Sequence, residues 1–251
     1  ADELRLRGYA MLTVDWRGQG LADRPLDDKM SGHVGDFAEY QLDMDAMLVF
    51  ARAQRLPEPY YMIAHSMGGC IGLRSLTRGL PFKAAAFTAP MWGILIAAWM
   101  RPLAIALTTA SRWLNFDNRY APGTGAKTYV LEAPFTGNSL TTDAEMWDYM
   151  RQQALAHPDL TLGGPSLGWL KAALTECHAL TQQPSPEVPA LVALGTQERI
   201  VDVGPIHARM TVWPRGTLDI YQGCEHEVLM ERASARDNFF ESATKLFHKN
   251  R

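Results

Sequence analysis

Tyr60-Tyr61-Met62-Ile63-Ala64-His65-Ser66-Met67-Gly68-Gly69-Cys70 is an apolar run that stops abruptly in a small-residue turn carrying one serine. Residues 60–63 read as a buried strand, and Gly69-Cys70-Ile71-Gly72-Leu73-Arg74-Ser75-Leu76 then sets apolar residues at helical spacing. The serine between them falls on a sharp strand-to-helix turn of the G-x-S-x-G kind. Such a turn is strained and exposes the hydroxyl, so the residues two places to either side should be minimal. Here they are Ala64 and Gly68, the first glycine being replaced by the least bulky alternative. The pattern predicts Ser66 as a nucleophile.

Outward from this turn, strands and helices alternate. Residues 36–54 carry Phe37, Tyr40, Met44, Met47, Leu48 and Ala51 at helical spacing, with Asp36 placed to cap the helix that feeds the Tyr60 strand. Asp43 and Asp45 on that helix read as a solvated face, not an acid/base pair. Residues 83–90 give another short buried strand, and residues 9–15 give an earlier one after a helix end closed by Gly8. A β-α-β-α-β order of this kind builds a parallel sheet, so the fold class is α/β. The helix running straight into the strand at Tyr9 implies a preceding strand, and the sequence is expected to begin in mid-fold.

Gly18-x-Gly20 after the Tyr9 strand raises the alternative of a dinucleotide fingerprint. Its third glycine would fall on Asp23, and Pro25-Leu26-Asp27-Asp28 does not read as the helix that would hold a pyrophosphate. No organic cofactor is expected.

Beyond Pro90 the alternation lapses until Ala190-Leu191-Val192-Ala193-Leu194-Gly195. The expected organisation is a core over residues 1–90, a helical lid over residues 91–187 and the rest of the core over residues 188–251. Within the lid lie an apolar stretch at residues 91–114, read as amphipathic helices, a turn-rich region at 115–137, and helices at 143–156 and 166–180. Trp92, Trp99, Trp113 and Trp169 either line a site for an apolar substrate or fill the insertion's own core. A strand at residues 217–221 and a closing helix at 234–248 complete the chain.

Composition narrows the function. With 251 residues, 47% of them hydrophobic and 20% charged, and a net charge of -3, the chain has a globular composition and no electrostatic footprint for nucleic acid. Its three cysteines, Cys70, Cys177 and Cys224, contain no C-x-x-C pair, so neither a disulfide framework nor a metal site is expected. Residues 1–7 are charged and lack the apolar core of a signal peptide. Residues 91–107, the most apolar stretch, are interrupted by Arg101-Pro102 and do not read as a membrane span. The expected location is cytoplasmic, peripheral to the inner membrane.

A serine hydroxyl needs a neutral imidazole to take its proton, and the imidazolium needs a carboxylate to orient it. Glu198 and His226 each follow a strand end, and serine, acid, histidine is the chain order of an α/β-hydrolase. The reading assigns Ser66 as nucleophile, His226 as general acid/base and Glu198 as orienting acid, with Asp202 the alternative acid. His65 adjoins the nucleophile and is expected on the opposite side of the elbow. With Trp92 and Trp169 it is a candidate substrate contact.

The chain resembles α/β-hydrolases of the bacterial lysophospholipase and monoacylglycerol lipase group, most closely their lysophospholipase L2-like branch. The resemblance rests on Val14-Asp15-Trp16-Arg17-Gly18-Gln19-Gly20, His65-Ser66-Met67-Gly68-Gly69, Gly163-Gly164-Pro165-Ser166-Leu167-Gly168-Trp169-Leu170, residues 195–202 and Gly223-Cys224-Glu225-His226-Glu227. It implies an α/β-hydrolase fold with an inserted lid. It also implies a serine ester hydrolase acting on an acyl glycerol or lysophospholipid, with a lid that rests on membranes through apolar contacts. The family carries further N-terminal strands and a His-Gly motif that supplies one oxyanion donor. Nothing here matches that motif, which leaves the Met67 backbone N–H as the assignable donor. The alternatives are an acyltransferase and a non-catalytic fragment that binds an acyl chain or a partner.

Overall fold

A computed structural model describes residues 1–251. Its elements, in chain order, are α1 Asp2–Leu6, α2 Glu39–Ala53, β1 Tyr60–His65, α3 Met67–Thr77, β2 Phe82–Thr88, α4 Arg101–Trp113, α5 Tyr129–Glu132, α6 Ala144–Ala156, α7 Leu167–Thr181, β3 Ala190–Gly195, α8 Val203–Val212, β4 Gly216–Tyr221 and α9 Ala233–His248. The four strands form one sheet in the order β1-β2-β3-β4, all parallel.

The two central strands are apolar on both faces, as strands covered from both sides must be. Alternate residues divide between two cores. Ala85 and Phe87 of β2 and Val192 and Leu194 of β3 join a core with residues of α2, α3, α7 and α8, while Ala84, Ala86, Leu191 and Ala193 face Phe239, Ala243 and Phe247 of α9. Alanines at residues 84–86 are fully buried and let helices approach closely on both sides. Arg74 of α3 and Glu176 of α7 form a two-pronged ion pair, at 2.6 and 2.8 Å, which ties the base of the insertion to the helix behind the serine.

The structure differs from the sequence expectations in four places. Residues 9–15 form no strand, and Met11 and Val14 are exposed. A strand needs a neighbour within about 4.8 Å to complete its ladder, whereas a cavity of about 600 Å³ lies between Leu12–Val14 and the outer edge of β1. Tyr9 is anchored edge-on to Tyr61 and Phe247, and Asp15 Oδ2 accepts from Leu21 N–H at 2.9 Å. The apolar stretch at 91–114 gives one helix, which begins at Arg101 with Pro102 in its first turn, where a missing N–H costs nothing. The helix at residues 203–212 is an addition to the expected elements, and Asp202, a candidate acid by sequence, is its cap. At α2 the helix begins at Glu39 with Ala38 as its cap residue and no side-chain cap, so Asp36 does not cap it as expected; Asp36 Oδ1 accepts from Ala38 N–H and Glu39 Oε1 accepts from Asp36 N–H in the turn before the helix. No helix is long and apolar enough to cross a membrane.

Candidate active site

Ser66 stands between the last residue of β1 and the first of α3, with φ 48° and ψ −117°. A non-glycine residue there is strained by about 1–3 kcal/mol and persists only where its surroundings hold it. They do. Ser66 N–H donates to Thr88 O, and the Ser66 carbonyl accepts from Gly69 N–H at 2.8 Å and Met91 N–H at 2.9 Å. The side chain caps nothing, which leaves the hydroxyl free. Met67 N–H opens α3, so it is one of the donors that a helix's first turn leaves without an internal partner.

The room that the turn needs is not where the G-x-S-x-G pattern puts it. A Cβ on Gly68 would meet nothing within 4 Å, whereas one on Gly69 would lie 2.5 Å from Pro90 Cβ and one on Gly72 would lie 2.6 Å from Met62 Sδ. The close approach of α3 to the sheet is made at Gly69 and Gly72.

Glu198 and His226 arrive from the loops after β3 and β4. Gly195 lets the loops pass closely: a Cβ there would lie 2.3 Å from Cys224 O. Gln197 N–H donates to that same carbonyl at 3.0 Å. His226 Nδ1 is 2.7 Å from Glu198 Oε2, and both side chains are almost wholly buried, at 5% and 1% exposure. Glu198 Oε1 accepts from the backbone N–H of Ile200 and Val201, at 2.6 and 3.0 Å. Burial pushes the Glu198 carboxyl up, but His226 and these two donors outweigh it and hold it below the usual range. An ionised Glu198 accepts a hydrogen bond from Nδ1–H of His226, which leaves Nε2 as the acceptor. Asp202, the alternative acid, is occupied elsewhere, accepting from Gly204 N–H at 3.0 Å as the cap of α8.

The cavity of about 600 Å³ between residues 12–14 and β1 is also lined by Ser66, Met67, His65, His226 and Glu227, with Leu140, Ile200 and the residues of β1 among its mostly apolar walls. Ser66 Oγ makes no hydrogen bond within the protein, and Ser66 and His226 border the same cavity. Trp92 is not among the walls. It is 1% exposed in the core, stacked on Trp213, and donates to Gly69 O at 3.1 Å. Trp169 packs on Phe37 at the foot of the insertion. His65 is not turned to the far side of the elbow: its ring meets that of His226 edge to face, with centroids 4.7 Å apart.

Sequence reasoning missed the groups that hold the histidine loop. Glu231, fully buried, accepts from Thr142 N–H, Thr142 Oγ1–H and Glu225 N–H. His226 N–H and Glu227 N–H donate to Ser139 O and Leu140 O. Arg199 bonds Asn138 O and pairs with Glu225 at 2.7 Å. Backbone partners leave no trace in composition, and a single glutamate four residues after a loop carries no pattern.

A serine on a strained strand-to-helix turn, facing a buried carboxylate–imidazole pair across the carboxyl ends of a parallel sheet, defines an α/β-hydrolase. The chain belongs to the Hydrolase_4 family, described as serine aminopeptidase, S33, which it matches over residues 1–233. It is 29% identical to the probable lysophospholipase L2 of Haemophilus influenzae, over 94% of this chain and 74% of that protein. It is also 29% identical to lysophospholipase L2 of Escherichia coli, over 97% of this chain and 73% of that one. Among solved structures it is similar to a soluble variant of monoglyceride lipase from Saccharomyces cerevisiae, with a TM-score of 0.71 at 18% identity, covering 99% of this chain and 80% of that one. It is also similar to a thermostable carboxyl esterase from Bacillus coagulans, with a TM-score of 0.72 at 14% identity, covering 94% and 79%. At these identities the structures speak for the fold alone.

Proposed function

We propose that the protein is a serine ester hydrolase of lipid-like esters, an acyl glycerol or a lysophospholipid, working through Ser66, His226 and Glu198. The observation that carries the reading is Ser66 at the elbow, with a Glu198-bound His226 lining the same mostly apolar cavity. In the reaction His226 Nε2 takes the Ser66 proton as Oγ attacks the ester carbonyl. The Met67 N–H receives the developing oxyanion, and the imidazolium returns its proton to the leaving alcohol. Water, deprotonated by the same nitrogen, then frees the fatty acid from the acyl-enzyme. A cavity of this size, about 600 Å³, is within the usual range for a drug-sized ligand, and its mostly apolar walls suit an acyl chain better than a small polar ester.

The segment leading into and forming α4 supports contact with a lipid surface. Trp99 is 78% exposed and Trp113 85%, with Leu103 and Leu114 exposed beside them. Arg101 and Arg112 are its only charged residues from 91 to 116. A non-catalytic, acyl-binding role is favoured by one observation, the absence of a hydrogen bond from Ser66 Oγ to the imidazole. Such bonds are often long before substrate binds.

A fluorophosphonate probe decides between them. Labelling located at Ser66 by mass spectrometry, and lost in Ser66→Ala and His226→Ala, supports the hydrolase. A folded chain that stays unlabelled overturns it. A panel running from p-nitrophenyl butyrate to monoacylglycerols and lysophospholipids then reads the substrate class.

A further inference from the structure

His65 precedes Ser66 and Glu227 follows His226, and these two neighbours meet each other: His65 Nε2 lies 3.0 Å from Glu227 Oε1. Both are secured from behind. His65 Nδ1 is 3.1 Å from Thr88 O and 2.9 Å from Thr88 Oγ1, on the adjacent strand. Glu227 N–H donates to Leu140 O at 2.8 Å. The His65 ring lies against the His226 ring at 63°. With Ser66 Oγ unbonded, the His65–Glu227 ion pair and the His65–His226 ring contact are the side-chain links between the elbow and the histidine loop.

We propose that His65 and Glu227 are a positioning pair, which fastens the histidine loop to the elbow one residue outside the reacting atoms and sets the His226 ring so that Nε2 addresses Ser66. The proposal rests on the triad reading above. Glu198 fixes His226 at one atom, Nδ1, and a single hydrogen bond leaves the ring free to swing about it. His65 against its face and Glu227 beside it remove that freedom. An error of about 1 Å at the attacking geometry costs on the order of 100-fold in rate, so such a clamp has a catalytic consequence without touching substrate.

The electrostatics follow from the same contacts. Burial pulls the His65 imidazole down, but Glu227 outweighs it and the group ends above its usual value. Burial pushes the Glu227 carboxyl up, and His65 outweighs that in turn. Three charged or titratable groups therefore face His226: Glu198 from the loop after β3, His65 from β1 and Glu227 from its own loop. Arg199 is engaged with Glu225 and Asn138 O, and residues 139–140 present backbone carbonyls.

The test is the pH dependence of Ser66 labelling by a fluorophosphonate and of kcat/KM on p-nitrophenyl butyrate, in the unaltered chain, His65→Gln, Glu227→Gln and the double variant. His65→Gln leaves the Glu227 carboxylate unopposed beside His226, which favours the imidazolium and moves the acid limb to higher pH. Glu227→Gln removes that negative charge and moves the limb to lower pH. Shifts of about half a unit to one unit are expected, with the double variant between them. Both single variants should lose about tenfold or more in kcat with KM little changed.

Two merely structural residues would give parallel limbs, and that result, with Ser66 still labelled, overturns the proposal. An unaltered chain whose Ser66 never labels overturns the triad reading itself, and the clamp with it. Should either variant fail to fold, imidazole NMR of the unaltered chain decides. A His65 titration that moves in step with that of His226 supports the pair, and two independent titrations overturn it.

Discussion

Glu198 gives one carboxylate oxygen to His226, 2.7 Å from Nδ1, and the other to the backbone of its own loop at Ile200 and Val201. The loop is thus folded around the carboxylate that holds the imidazole. Glu198→Gln should keep the fold and lower kcat by about 10²- to 10⁴-fold, because the amide no longer dictates the imidazole tautomer. Asp202→Ala should leave kcat in place and cost about 1 kcal/mol of stability through the lost cap of α8. Ester kinetics beside urea unfolding of the two variants separates the assignments; the reverse pattern would make Asp202 the acid.

The nucleophile helix makes a second, sharper contrast between adjacent residues. Gly69→Ala would drive a methyl to 2.5 Å from Pro90 Cβ and 2.8 Å from Pro90 Cα. Backbone would have to move, at about 1–3 kcal/mol. Gly68→Ala meets nothing within 4 Å and should gain about 0.5–1 kcal/mol from helix propensity. Denaturant midpoints of the two variants should move in opposite directions.

Stability should carry a pH signature at the His65–Glu227 pair. His65 is raised from 6.5, so its contribution is full below that value and fades as pH rises through the folded value. Glu227 is lowered from 4.5, so its contribution is full above that value and fades as pH falls through the folded value. The loss of melting temperature in Glu227→Gln should therefore be largest between about pH 5 and 6.5 and shrink in alkali. Thermal melts across pH 4–9 check it; a loss that is flat with pH would contradict the ion pair.

At α4, Trp99→Ser and Trp113→Ser together should weaken sedimentation with anionic phospholipid vesicles by about tenfold or more, since burying such side chains is worth more than 1.4 kcal/mol. Melting temperature should hardly change, because both rings face solvent. Unchanged partitioning would remove this surface from the lipid-contact reading.

Much of this was legible because the decisive signals are local. The switch from the Tyr60 strand to the Gly69 helix around one serine located the elbow, and the apolar run at residues 190–195 gave β3 residue for residue. Asp143 and Ser166 cap the two insertion helices that their positions announced. What failed depends on partners. Residues 9–15 have a strand's composition, but a strand is defined by its neighbour, and the space beside them is a cavity. Trp92 looked like a substrate contact because its burial on Trp213 and Gly69 comes from elements 23 to 121 residues away in sequence. His65 was misplaced for a related reason: alternation along a strand gives the side a residue leaves from, not the ring it meets.

The segment at residues 137–142 lies between β2 and β3, yet it holds the loop that carries His226. Its carbonyls receive His226 N–H and Glu227 N–H, Thr141 Oγ1–H reaches Met230 O, and Thr142 is held by the buried Glu231. Substrate specificity in such enzymes invites engineering by exchanging the helical cover wholesale. In this chain a graft made between β2 and β3 would carry off the scaffold of the His226 loop. A transplantable cover would have to leave residues 137–142 with the host, or bring along a histidine loop already fitted to the donor's.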